Sequence, residues 1–203
     1  MRKCIIFILS LTAALLFCYP KQMIASQNGL VIDEFRTRTL SSSTDEYIVL
    51  ANYSLVDINL LNYSLIKKTS SGNNYNLVSK FPTISIAPYQ KLILGYRDYT
   101  GEKDLTYTTS SLADTNNGII LFNNFGKIVD SVTYGEINFA EMEGLPLDDP
   151  MPGVSYKRIN RLDTDNNFLD FIADIYVKPL DINVDKVLIT ELMPDPDEGD
   201  EWF

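Results

Sequence analysis

Residues 118–134 (GIILFNNFGKIVDSVTY) decide the fold. Two runs rich in Ile, Val and aromatic side chains, Gly118–Phe122 and Lys127–Tyr134, flank Asn123–Gly126, a turn whose Asn and Gly tolerate positive φ. The segment reads as a β-hairpin. Toward the N-terminus, Lys91–Tyr96 (KLILGY) reads as a core strand. Glu46–Asn52 (EYIVLAN) is another, with Tyr47 and Val49 on one face and Ile48 and Leu50 on the other. Gly29–Phe35 opens the first strand, and the small polar residues of Thr37–Thr44 make the loop after it. Leu60–Lys67 is a third strand, closed by a turn over Ser70–Asn74. Tyr75–Lys80 and Thr83–Ile86 flank Pro82, which cannot donate to a ladder and so marks an edge or a bend.

On the C-terminal side of the hairpin, Glu141–Pro152 is a long acidic loop containing proline, and Val154–Arg158 and Phe168–Ala173 read as the last strands. About nine short strands separated by turn signals predict an all-β sandwich or barrel. A parallel α/β sheet needs crossover helices, and no amphipathic stretch is long enough to be one. The composition agrees: 45% of the 203 residues are hydrophobic, and 12 Tyr and 10 Phe suit a pleated, half-buried surface.

The N-terminus has the anatomy of a secretory signal. Arg2 and Lys3 precede the apolar run Ile5–Phe17, and small residues follow near Ala25 and Ser26, so residues 1–25 are expected to be removed on export. The run is shorter than the ~20 residues of a spanning helix. A lipid anchor on Cys18 is the other reading, although Phe17 is bulky where lipoprotein processing favours a small residue. Both cysteines, Cys4 and Cys18, fall in this segment, so the exported part has no thiol and no disulfide and depends on its core. Three of the 17 basic residues (Arg2, Lys3, Lys21) and none of the 27 acidic ones lie in the signal, leaving the remainder at −13. That charge disfavours nucleic acid and anionic lipid as partners. Lys67–Lys68 and Lys157–Arg158–Arg161 are the only basic groupings.

Histidine is absent altogether, which removes Ser-His-Asp and Cys-His catalysis and the commonest catalytic zinc sets. Paired carboxylates remain. Asp33–Glu34, Asp45–Glu46 and Asp148–Asp149 are adjacent pairs, and neighbours on a strand point to opposite faces. No catalytic residue is therefore assigned. Asp163-x-Asp165-x-Asn167, followed by Asp170, offers oxygens at alternate positions, as in the first half of a Ca²⁺-binding loop, and these three residues are the metal candidate. The glycine and the closing glutamate of such a loop are replaced by Phe168 and Asp174. A turn in which Asp and Asn bond their own backbone is the preferred account. Ca²⁺ is the one cofactor such a loop would take.

The chain also repeats itself. Leu30–Phe35 (LVIDEF), a polar loop and Asp45–Ile48 (DEYI) match Val187–Leu192 (VLITEL), a polar loop and Asp200–Phe203 (DEWF). Residues 187–203 are accordingly expected to begin a second, truncated copy, with 175–186 as linker.

Several segments in order resemble one family: Asp45–Leu50 (DEYIVL), Phe81-Pro82 leading to Ile86–Leu94 (IAPYQKLIL), Leu112–Leu121 (LADTNNGIIL), Gly126–Gly135 (GKIVDSVTYG), Gly153–Arg158 (GVSYKR) and Asp163–Asn167 (DTDNN). Together they are similar to the lamin tail domain of exported prokaryotic proteins, over roughly 29–174 of a domain placed at 28–174. Tyr47 stands where that family usually has Trp, and Asn62-Tyr63 replaces a frequent Gly-Trp; both keep an aromatic for the core. The resemblance implies an immunoglobulin-like sandwich with no catalytic residues, serving as a binding or attachment module at the cell surface. The partner expected is a protein or other cell-surface component. The alternative is an N-terminal accessory fragment of a larger secreted nuclease or other hydrolase.

Overall fold

In a computed structural model that describes residues 29–174, the hairpin read from Gly118–Tyr134 is present, with Asn123 N–H donating to the Lys127 carbonyl and Gly126 at φ 72°. In chain order the elements are β1 (Leu30–Arg36), β2 (Tyr47–Asn52), β3 (Ile58–Asn59), β4 (Ser64–Thr69), β5 (Asn74–Val78), β6 (Ser85–Ile86), β7 (Lys91–Tyr96), β8 (Leu105–Tyr107), β9 (Asn117–Phe122), β10 (Ile128–Tyr134), β11 (Ser155–Arg158), α1 (Asn167–Asp170) and β12 (Phe171–Asp174). The signal, the linker and the second-copy readings lie outside the described residues.

Two sheets face one another. One has six strands in the order β12-β11-β1-β2-β7-β8, the other four in the order β10-β9-β4-β5, and β3 pairs with β6 as a small ribbon. Every pairing is antiparallel except β7 with β8. The architecture is the all-β, immunoglobulin-like sandwich expected. Alternation fills the interior. Ile48 and Leu50 of β2, Leu65 of β4, Leu94 of β7, Leu121 of β9 and Val132 of β10 are all buried in one core. Phe35 of β1 ties the sheets together, stacked between Tyr134 and Tyr156 at 5.6 Å from each and meeting Phe171 edge-on at 6.1 Å.

Four local readings change. Leu60–Tyr63 is a turn, with Asn62 at φ 65°, so the third predicted strand starts at Ser64. The short β8 carried no alternation signal and pairs parallel through three residues. Phe168 begins no strand: α1 occupies Asn167–Asp170 and the strand starts at Phe171. Tyr47 is buried, but on the outer face of its sheet beneath Arg36 and Tyr99, because Ile48 and Leu50 take the inward positions.

The β10 edge is closed by its own chain. Between Ser131 and Thr133 every outward backbone group has a partner. Ser131 N–H donates to Glu143 Oε1 (2.8 Å), and Asn167 Nδ2 donates to the Ser131 carbonyl (2.9 Å). Thr133 N–H donates to Asn167 Oδ1 (2.6 Å), and the Thr133 carbonyl accepts from Leu147 N–H (2.9 Å). One asparagine side chain thus stands in for a neighbouring strand.

Candidate functional site

The chain's polar chemistry is concentrated at the corner where β1, β10, β11 and α1 meet. β1 carries a bulge at Asp33, between Ile32 and Glu34, and pairs with β11 only through Glu34 and Phe35. The backbone of Ile32 therefore finds side chains instead of a strand: its N–H donates to Asp130 Oδ2, and its carbonyl accepts from Arg158 Nε at 3.2 Å. Arg158, with no exposed side-chain surface, pairs with Asp130 (3.0 Å), Asp163 (3.1 Å) and Asp170 (3.0 Å) and lies over the Phe171 ring at 4.6 Å. Glu143, from the loop that seals β10, brings a fourth carboxylate. Oxygens of Asp130, Glu143 and Asp163 lie within 4.8 Å of one another.

Four acids around one guanidinium would leave a large net negative charge in a dry corner. Burial first, then the neighbouring Asp130 and Asp163, push the Glu143 carboxyl far above its ordinary range; burial likewise raises Asp130 against the pull of Arg158. Glu143 and Asp130 thus hold a proton between them. Burial alone would lower the Arg158 guanidinium, and its three aspartates outweigh that effect and raise it. Such a network fixes four elements to each other, and its central side chain offers no approach to a substrate.

The metal candidates divide. Asp163 Oδ1 accepts from Arg158 Nη1 and from Asp165 N–H at 3.3 Å, the latter being the backbone bond expected of an Asx turn. Asn167 commits its amide to β10. Asp165 is exposed on the turn at φ 53°. The bulge puts Asp33 and Glu34 on one face of the sheet, where opposite faces were expected, yet they take separate partners: Asp33 is buried against Tyr53 and Lys91, whereas Glu34 accepts from the Tyr47 hydroxyl. Arg158, Asp130 and Glu143 were not among the site residues expected from the sequence. Register could have found two of them, because Asp130 shares the inward parity of Val132 and Tyr134, and Arg158 that of Tyr156.

A second buried acid sits at the opposite seam. Glu46, fully buried, accepts from Tyr107 Oη (2.8 Å) and from Leu112 N–H (2.7 Å). Burial pushes its carboxyl up to about 8. Lys67 reaches toward the same seam and donates to the Ser111 carbonyl at 2.6 Å.

Above the Arg158 corner the surface opens into an apolar hollow of about 300 Å³ between β12 and the 147–151 loop, lined by Leu147, Met151, Tyr156, Phe168, Phe171 and Ala173, with Asp148 and Asp149 at its rim. Met151 and Phe168 are about half exposed, at 46% and 56%. At the other seam, between β5 and β8, the lining is mostly polar: Ser79, Lys80, Thr106, Thr108 and Thr109.

Two facing, almost wholly antiparallel sheets around one core define an immunoglobulin-like domain. Within that class, the Lamin Tail Domain family model matches residues 24–136, more than half of the chain, and the chain belongs to that family. β11, α1 and β12 lie beyond the matched stretch. No curated protein matches the sequence.

Proposed function

We propose that the chain is an exported, non-catalytic module that works by protein contact at the cell surface. The observation that carries this reading is the contrast between a reactive-looking cluster that is sealed and an apolar hollow that is open. Arg158 and its aspartates are spent on structure, while Met151 and Phe168 stand half exposed around a concave surface. The signal-like residues 1–25 and the net charge of −13 beyond them support export and a protein rather than nucleic-acid partner. No helix among the described residues is long and apolar enough to cross a membrane.

The test has two parts. Protease treatment of intact cells, with fractionation, is expected to find the chain outside the cytoplasmic membrane. The purified chain is expected to leave phosphodiester, ester, peptide and glycoside substrates intact. Turnover abolished by changing a single carboxylate would overturn the non-catalytic reading.

A further inference from the structure

We propose that the seam between β12 and the 147–151 loop accepts an extended strand from a protein partner, one that alternates apolar side chains and carries Lys or Arg beside them. The inference deepens the contact reading and rests on it.

Among the described residues, no strand lies beside the outer edge of β12. Ile159 N–H donates to the Asp170 carbonyl at 2.6 Å, and Lys157 is paired with Ile172, so alternation turns the backbone of Phe171 and Ala173 away from β11. Phe171 N–H is taken by the Asn167 carbonyl at the end of α1. Among the described residues, the Phe171 carbonyl and both backbone groups of Ala173 then face outward without a strand. The corresponding groups of Ser131 and Thr133 on β10 are covered by Glu143, Leu147 and Asn167. One margin of the sandwich is thus closed by the chain itself, and the margin beside it is left ready to pair.

Below that edge lies the hollow. A strand laid along β12 with its own alternation would point every second side chain at Met151, Phe168 and Leu147, gaining burial as well as ladder bonds. Among the described residues β5 and β8 are edge strands too, yet the threonines, serine and lysine of their seam offer no such gain. Charge selects the occupant. Asp148 and Asp149 rim the hollow and Asp174 ends β12; none of them is ion-paired among the described residues, and no basic residue lines the hollow. Asp149 is held in place by Asn116 N–H at 2.8 Å. Three fixed or free acids around an apolar slot complement a cationic residue next to apolar ones and repel an acidic one.

The test uses the isotope-labelled full chain and two blocked synthetic peptides of alternating Val and Thr, one flanked by Lys and one by Glu. The Lys-flanked peptide is expected to shift the amides of Phe171–Asp174 and of 147–151 and to slow exchange at Ala173. The Glu-flanked peptide should bind at least ~10-fold more weakly, and Asp148→Asn should narrow that gap. Met151→Lys, which puts a like charge in the slot without touching the ladder, should abolish binding of the Lys-flanked peptide while the remaining spectrum stays native. Absence of shifts at millimolar peptide, equal binding of both peptides, or shifts confined to the β5–β8 seam would overturn the proposal. So would protection of the Ala173 amide in the free chain: if independent of concentration, another segment of the same chain covers the edge; if it grows with concentration, a second copy does. A surface-exposed, inert chain that ignores both peptides would remove this seam and leave the contact reading standing. An active hydrolase would remove the contact reading itself.

Discussion

Two buried acidic sites lie at opposite margins of this sandwich, and they are neutralised in different ways. At the β10–β11 corner, Asp130, Asp163 and Asp170 are answered by a guanidinium at 3.0–3.1 Å, and the surplus carboxylate of Glu143 is answered by a proton. At the β5–β8 margin, Glu46 has only uncharged donors, Tyr107 and Leu112, in contact, and burial holds its proton up to about 8. Lys67 is near enough to pull the other way, but its ammonium is engaged by the Ser111 carbonyl. The difference teaches that a sandwich with no cysteine among its described residues can lock its corners with charge, provided a counter-ion is built in; where none is, a proton fills the role and stability becomes pH-dependent.

Removing the counter-ion should break the comparison most sharply. Arg158→Met leaves three aspartates buried without a counter-ion and the Ile32 carbonyl without its donor, and is expected to cost ~3–5 kcal/mol. Urea unfolding at neutral pH checks the loss. The variant should regain part of it as pH falls and the carboxylates protonate, which makes this corner behave like the Glu46 margin. A loss that is the same at every pH would contradict the account.

The second change works in the opposite direction. Because the folded chain keeps the Glu46 proton up to about 8 and an unfolded one releases it near 4.5, this site favours folding most at low pH. Its contribution is lost as pH rises from 4.5 to about 8. Glu46→Gln keeps an acceptor for Leu112 and Tyr107 and cannot ionise, so it should stabilise the chain by ~2–4 kcal/mol at pH ~8 and much less at pH ~5. Paired unfolding curves at the two pH values decide it.

The two regions also differ in how far the sequence announced them. Alternation placed Ile48, Leu50, Leu94 and the hairpin, because side chains with a period of two leave a visible mark on a strand. Glu46 shares the parity of Ile48 and Leu50, so alternation points it inward just before β2 while Asp45 pairs with Arg36, but nothing local showed that Tyr107 and Leu112 would meet it there. The Arg158 network draws on Asp130, Glu143, Asp163 and Asp170, scattered along the chain, and only the packing of two sheets brings them to one guanidinium. β8 was missed for the same reason: three residues in parallel pairing have no periodicity to read. α1 was hidden by apolar Phe168 and Leu169, which both lie exposed on the single turn between the Asp163 loop and β12. Local pattern reports faces, whereas long-range charge pairing is written only in the fold.

Asn167 tests a quieter part of the corner. Its amide satisfies the Thr133 N–H and the Ser131 carbonyl, so Asn167→Ala would leave two backbone groups on the β10 edge without partners, at a cost of ~1–3 kcal/mol. Asn167→Asp keeps the acceptor, loses the donor and adds charge beside Glu143, and should fare no better than the alanine variant at neutral pH. If both unfold like the parent, the edge is sealed by other means.

The smallest effect expected is that of Ca²⁺. An ion at Asp163, Asp165 and Asn167 would have to draw Asp163 Oδ1 from Arg158 and the Asn167 amide oxygen from Thr133, exposing a buried guanidinium and a β10 N–H together. Those losses oppose binding by more than an exposed Asp165 can return, so millimolar Ca²⁺ should leave the melting temperature within ~1 °C of its value in chelator. A rise of several degrees, retained in Asp165→Asn but lost in Glu143→Gln, would instead locate a cation among Asp130, Glu143 and Asp163, where a proton is now assigned.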